Sequence, residues 1–127
     1  MMKKLLFLIL VASFNVSSAD QAITQWVYNT LERAQANLDK GNIEAAEKIY
    51  YDYANDTWSS RSYDHFVILR TYAYFLLSND RNEEALRYLK QASLKRDMPP
   101  YDIFELHFTL GQVYYVTGDR ANAKKTL

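Results

Sequence analysis

The 127-residue chain has no cysteine, only three glycines and two prolines, and no excess of either charge, its 15 Lys+Arg matching 15 Asp+Glu. Without cysteine there is no disulfide, thiolate nucleophile, Cys-based zinc or iron–sulfur site, or lipid-modified Cys anchor. So little Gly and Pro leaves scant material for a turn-rich β protein or a long linker. The even charge lacks the basic excess of a dedicated nucleic-acid binder. What is present is a hydrophobic share of 49% with aromatics at 15% and charged residues at 24%. That composition suits one small ordered domain, compact, mostly helical and free of cofactors.

Residues Met1 to Ala19 read as a secretory signal. Lys3 and Lys4 form a positive start, Leu5 to Ala12 an apolar run, and Ser17 and Ala19 the small residues of a cleavage site. The apolar run is too short to span a bilayer, which needs roughly 20 residues. Cleavage after Ala19 removes Lys3 and Lys4 and no acidic residue, so the remainder, Asp20 to Leu127, has two more acidic than basic side chains. The expected product is mildly acidic and periplasmic or secreted, from a bacterial source, with no stable membrane anchor. In that setting Asn55-Asp56-Thr57 is a chance match to a glycosylation acceptor.

The segment that remains repeats itself. Gly41-Asn-Ile-Glu-Ala-Ala46, Asp80-Arg-Asn-Glu-Glu-Ala85 and Gly118-Asp-Arg-Ala-Asn-Ala123 align without gaps, and the intervals between their last alanines differ by a single position. Four residues beyond each alanine stands a large apolar residue: Tyr50, Leu89 and Leu127. Twelve before each stands a small one: Ala34, Ala73 and Gly111. Small residues on both members of a helix pair let the backbones approach, and a larger one fills the neighbouring groove. Gly or Asp between them ends one helix and begins the next, and Asp80 with Glu83 has the spacing of a capping box.

Hydrophobic periodicity predicts helices near 21–39, 43–55, 62–78, 81–95, 101–117 and 120–127. Phe66, Leu69, Ala73 and Leu76 share one stripe of the third. The fifth carries Phe104, Leu106–Phe108, Leu110–Gly111 and Tyr114–Tyr115 around much of its circumference, as in a helix sandwiched between neighbours. Ser59-Ser60 is placed to cap the third helix, and Met98-Pro99-Pro100 to break the chain before the fifth.

This pattern resembles tetratricopeptide repeats. The third unit carries it as Leu110-Gly111, Tyr114, Gly118-Asp119, Ala123 and Leu127; the second as Tyr72-Ala73, Leu76, Asp80, Ala85, Leu89 and Ala92; the first as Ala34, Gly41, Ala46 and Tyr50. The family unit has about 34 residues, so the connections here are longer, and Asn37 stands in the first unit where Tyr114 stands in the third. The resemblance implies an all-α domain over 20–127. Antiparallel helix-turn-helix units at about 21–58, 60–97 and 100–127, the last one short, would form a small right-handed α-solenoid.

Catalytic chemistry finds no support in the residues. His65 and His107 lack metal-ligand spacing, with His65 expected at the surface and His107 lining a groove or hydrogen-bonded. No nucleophile elbow or phosphate loop occurs, and Glu83-Glu84 point to different sides of a helix, so no catalytic, metal or cofactor residue is assigned. Tyrosine is the conspicuous supply, 11 in all. Tyr50, Tyr72 and Tyr114 are expected to pack between helices, since they occupy repeat packing positions.

The family fold implies a concave groove that holds a protein or peptide partner. By position its lining would be Gln35, Arg70, Tyr74, Thr109, Gln112 and Tyr115, with Arg70 meeting a carboxylate and Tyr74 and Tyr115 as aromatic anchors. The expected function is an exported scaffold in a bacterial envelope assembly. The alternatives are a helical accessory domain of an envelope hydrolase and a self-associating structural protein. The apolar fifth helix, followed only by a short sixth, leads to an expectation of homodimerisation through that end or of a longer array.

Overall fold

A computed structural model of the chain describes residues 22–56 and 62–126. The leader, the Ser59-Ser60 cap and Leu127 lie outside the described residues. Within them the chain is all-helical: α1 (Gln25–Asp39), α2 (Ile43–Ala54), α3 (Ser62–Ser78), α4 (Asn82–Ser93), α5 (Pro100–Val116) and α6 (Arg120–Thr126). The extensive helix–helix contacts all join consecutive helices.

The periodicity of the sequence is also a periodicity of helix boundaries. The 17-residue helices α3 and α5 begin at Ser62 and Pro100, and the 12-residue helices α2 and α4 at Ile43 and Asn82. Three turns follow one backbone plan. Gly41, Asp80 and Gly118 all have positive φ, at 83°, 61° and 90°. Each donates its N–H to the carbonyl three residues back, and the next N–H reaches five back, as in Asn42 to Asn37 (2.8 Å), Arg81 to Leu76 (2.9 Å) and Asp119 to Tyr114 (2.8 Å). This pair of bonds closes a helix on a left-handed residue and satisfies carbonyls that the helix leaves unpaired. Glycine adopts that conformation freely, whereas Asp80 holds it at a steric cost of roughly 1–2 kcal/mol.

Asp80 therefore serves the end of α3 through its backbone. The N-cap position of α4 is Arg81, one residue after the Asp80 expected to open a capping box with Glu83. At the equivalent third turn Asp119 caps, its Oδ1 accepting from Asn122 N at 3.1 Å. Helix α1 starts at Gln25, later than its periodicity predicts, because Thr24 forms the N-cap and accepts from Val27 N. Pro99 is the N-cap of α5 and Pro100 its first residue, where a missing N–H has no helical partner to lose.

The small residues lie in the core as the spacing predicts: Ala34, Ala46, Ala73, Ala85, Gly111 and Ala123 are buried, with Tyr50 and Leu89 beside them. Tyr50, Tyr72 and Tyr114 are buried too. Tyr72 anchors an aromatic cluster, its ring centroid 6.1 Å from Tyr50, 6.1 Å from Phe75 and 4.7 Å from Tyr88. Helix α3 is the centre of the molecule, with Phe66 through Arg70 and Tyr72 through Leu77 all buried. Each large apolar side chain so buried contributes roughly 1.5–3 kcal/mol.

Candidate interaction surface

The six residues expected along a groove part company in the structure. Gln35 is exposed on α1, where its amide donates to Asp39 Oδ1 at 3.0 Å within the same helix. Tyr115 is exposed on α5, with the Arg120 guanidinium 5.4 Å above its ring. Arg70, Tyr74 and Thr109 are buried, and Gln112 is half-buried with its Oε1 sealed from solvent. Arg70, Tyr74 and Thr109 thus lie inside the protein, apart from the exposed Gln35 and Tyr115. They are constituents of a polar seam between α3 and α5.

That seam has its own chemistry. Arg70 Nη1 lies 3.1 Å from Asp102 Oδ1 and 3.7 Å from Glu105 Oε1, with the guanidinium carbon 5.2 Å above the Phe66 ring. Attraction at low dielectric offsets the loss of hydration in such a pairing, so removal of one partner is expensive. Burial pushes the Tyr74 phenol up to about 12, against the pull of neighbouring Arg70 and Thr109. Burial first, then the Asp102 carboxylate, pushes Tyr63 up to about 12. The preceding seam is simpler: Asp64 Oδ1 accepts from Thr24 N at 3.1 Å, drawing the start of α1 onto α3.

A second polar cluster fastens α2, α3 and α4 together. Arg81 donates to both oxygens of Glu47, at 2.8 and 2.7 Å, and to both of Glu84, at 2.7 and 3.0 Å. Tyr72 Oη completes it, donating to Glu47 Oε2 at 2.7 Å. The Arg81 bonds hold the Glu47 and Glu84 carboxyls below the usual carboxylate range. His65, expected at the surface, is half-buried, with its Nε2 3.0 Å from Ala54 O. His107 is exposed on α5. No group of three or more His, Asp and Glu able to hold a metal ion occurs among the described residues.

The exposed surface of interest is on α5. Tyr101, Phe104, Phe108 and Tyr115 fall on one side of that helix and are 56%, 71%, 44% and 58% exposed. Helix α5 is thus open along one side, where periodicity alone predicts a sandwiched helix. The equivalent positions one unit earlier are Tyr63, Phe66, Arg70 and Leu77 of α3, which are 7%, 0%, 4% and 1% exposed. In α3 this side receives Asp102 and Glu105 of the following unit; in α5 it stays exposed, with the Arg120 guanidinium 5.4 Å above Tyr115 at its far end. Sequence inspection could have found the correspondence, because Tyr63-Asp64-His65-Phe66 recurs as Tyr101-Asp102-Ile103-Phe104. Four rings exposed by about half, at roughly 200 Å² each, make an aromatic patch of about 400 Å², the size of patches that act as contacts.

Comparison with protein-family models, curated proteins and solved structures finds no match for this chain.

Proposed function

We propose that the protein is a non-catalytic, exported scaffold that binds another protein through the aromatic side of α5. The observation that carries this reading is the contrast between equivalent helices: the side that α3 buries under the next unit is left open, and fully aromatic, on α5. Tyr and Phe offer large contact area at low entropic cost, so a rigid helix presenting four of them is preorganised for binding. The stripe itself is made of four aromatic rings, with the Arg120 guanidinium over Tyr115 at one end, which favours shape and apolar contact as its mechanism.

Two further features support the wider setting. Helix boundaries recurring at a near-constant interval, with extensive contacts only between consecutive helices, suit a short right-handed solenoid of tetratricopeptide-like units. The leader-like order of Met1 to Ala19 favours work in a bacterial envelope or outside the cell. The buried Arg70, Tyr74 and Thr109 have no part in partner contact in this reading, which shifts the contact from a groove to the α5 edge. Photo-crosslinking tests it, with benzoylphenylalanine placed at position 104 or, as a control, at exposed Tyr51 of α2, in the cell the protein comes from. Adducts of any mass at 104 and none at 51 are expected. Absence of adducts at 104, or equal adducts at both, would overturn the reading.

A further inference from the structure

The exposed side of α5 has a pattern that favours one occupant. Its rings stand at positions 101, 104, 108 and 115, so tyrosines mark both ends and Phe108 lies midway between them. The stripe is about 21 Å long at 1.5 Å per residue. Between Phe108 and Tyr115 no large exposed apolar side chain occurs, since Gly111 has none and Gln112 turns its Oε1 inward. A second α5 laid antiparallel across the first, meeting at Phe108, brings Tyr101 of each copy against Tyr115 of the other. It also places Phe104 of each copy opposite Gln112 of the other, where no ring stands.

From this self-complementarity we infer that the α5 stripe is the twofold interface of a homodimer, with helices antiparallel and crossing at Phe108. The inference rests on the proposed role of this surface and names its partner as a second copy of the chain. Other surfaces match the stripe less well. A head-to-tail partner would offer the outer side of α1, which presents Gln25, Glu32, Gln35 and Asp39 around the single ring of Tyr28. Laying that polar row on four aromatic rings would strip water from carboxylates without giving them a cation. An isologous contact also closes on itself and avoids open filaments. The two patches together bury about 800 Å² from the rings alone, below the roughly 1,200 Å² at which specific, stable interfaces begin. A weak, concentration-dependent dimer is the consequence.

The absence of native cysteine makes the geometry directly testable, because every introduced thiol is the only one. The protein is expressed with its own leader, purified as the cell leaves it, and oxidised with glutathione disulfide at rising concentration. Phe108→Cys is expected to form a disulfide-linked dimer. Tyr101→Cys alone should not, whereas an equal mixture of Tyr101→Cys and Tyr115→Cys should give the mixed dimer. Self-linking of Tyr101→Cys, or failure of Phe108→Cys to link, would overturn the antiparallel pairing. Independently, sedimentation of the wild type should show twice the monomer mass at high concentration. Phe104→Glu should lose that dimer with helicity intact, as expected for a change at an exposed position. A wild type that stays monomeric throughout, yet gives adducts to a different protein at position 104, would overturn self-pairing while leaving the proposed function standing.

Discussion

Helices α3 and α5 are the same length, begin with related residues one unit apart and lead into turns of the same backbone geometry. They nevertheless live in different solvents. On α3 the side bearing Tyr63, Phe66 and Arg70 is covered, and its one cation is matched by Asp102 and Glu105. On α5 the corresponding side bears Tyr101, Phe104, Phe108 and Tyr115, all exposed, with Arg120 over the last ring alone. The same local code thus builds both a seam and an open face. Which one results depends on whether another helix arrives, a matter that lies outside the helix itself. A side chain's position in the repeat defines the side it occupies, and only its neighbour defines whether that side is core or surface.

The widest separation between the two helices should come from paired truncations. Phe66→Ala opens a cavity in the centre of the molecule and is expected to cost about 3–5 kcal/mol in denaturant unfolding. Its equivalent on α5, Phe104→Ala, should change the stability of the dilute protein by no more than about 0.5 kcal/mol. Equal losses would mean that α5 is covered after all. Next in size is Arg70→Met, which takes the guanidinium from half-buried Asp102 and buried Glu105 and should cost about 3 kcal/mol. Adding Asp102→Asn and Glu105→Gln should return much of that loss, whereas no recovery would show that the ion pairs are not the source.

Alkaline titration separates the two environments through their tyrosines. Tyr50, Tyr63 and Tyr74 are raised by burial from the usual 10.0 to about 12. A pKa raised on folding stabilises the protonated native form below the unfolded value, and that stability is lost as pH climbs through the folded value. Unfolding stability should accordingly hold up to about pH 10 and decline between about 10 and 12. Tyrosinate absorbance should rise in step with that loss for the buried phenols.

Smaller effects belong to the α2–α4 fastening. Glu47 and Glu84 are held below the usual 4.5 by Arg81, so their contribution is present above that pH and fades as pH falls below it. Glu47→Gln should cost about 1 kcal/mol at neutral pH, because the cluster is partly open to solvent, and should flatten the acid limb of a stability–pH curve. Smallest of all is Asp80→Gly, which relieves a left-handed aspartate at a position where the other two turns use glycine. A gain of about 0.5 kcal/mol in thermal or denaturant unfolding is expected, the relief being partly offset by the freer unfolded chain.

Much of the fold was legible because it is encoded locally. Gly41, Asp80 and Gly118 mark turns by backbone freedom, Pro99-Pro100 starts a helix by losing a donor that needs no partner there, and the buried alanines recur at fixed offsets. The misreadings arise where distant residues decide. Arg70, Tyr74 and Thr109 look like groove residues because they are polar and occupy the right face. Arg70 is buried where it pairs across a long stretch of sequence with Asp102, and no local periodicity contains that information. Arg81 as the hub of Glu47 and Glu84 was missed for the same reason, since Glu47 belongs to the preceding unit. The open side of α5 was half legible: its rings are plain in the sequence, but their exposure emerges only when α3 shows what should cover them.

The central claim, that α5 presents the side α3 buries, is tested most directly by hydroxyl-radical footprinting read residue by residue. In dilute protein, Tyr101, Phe104, Phe108 and Tyr115 should oxidise rapidly while Tyr63 and Phe66 stay protected, and the α5 rings should gain protection as concentration rises. Protection of both sets alike in the most dilute sample would contradict the account.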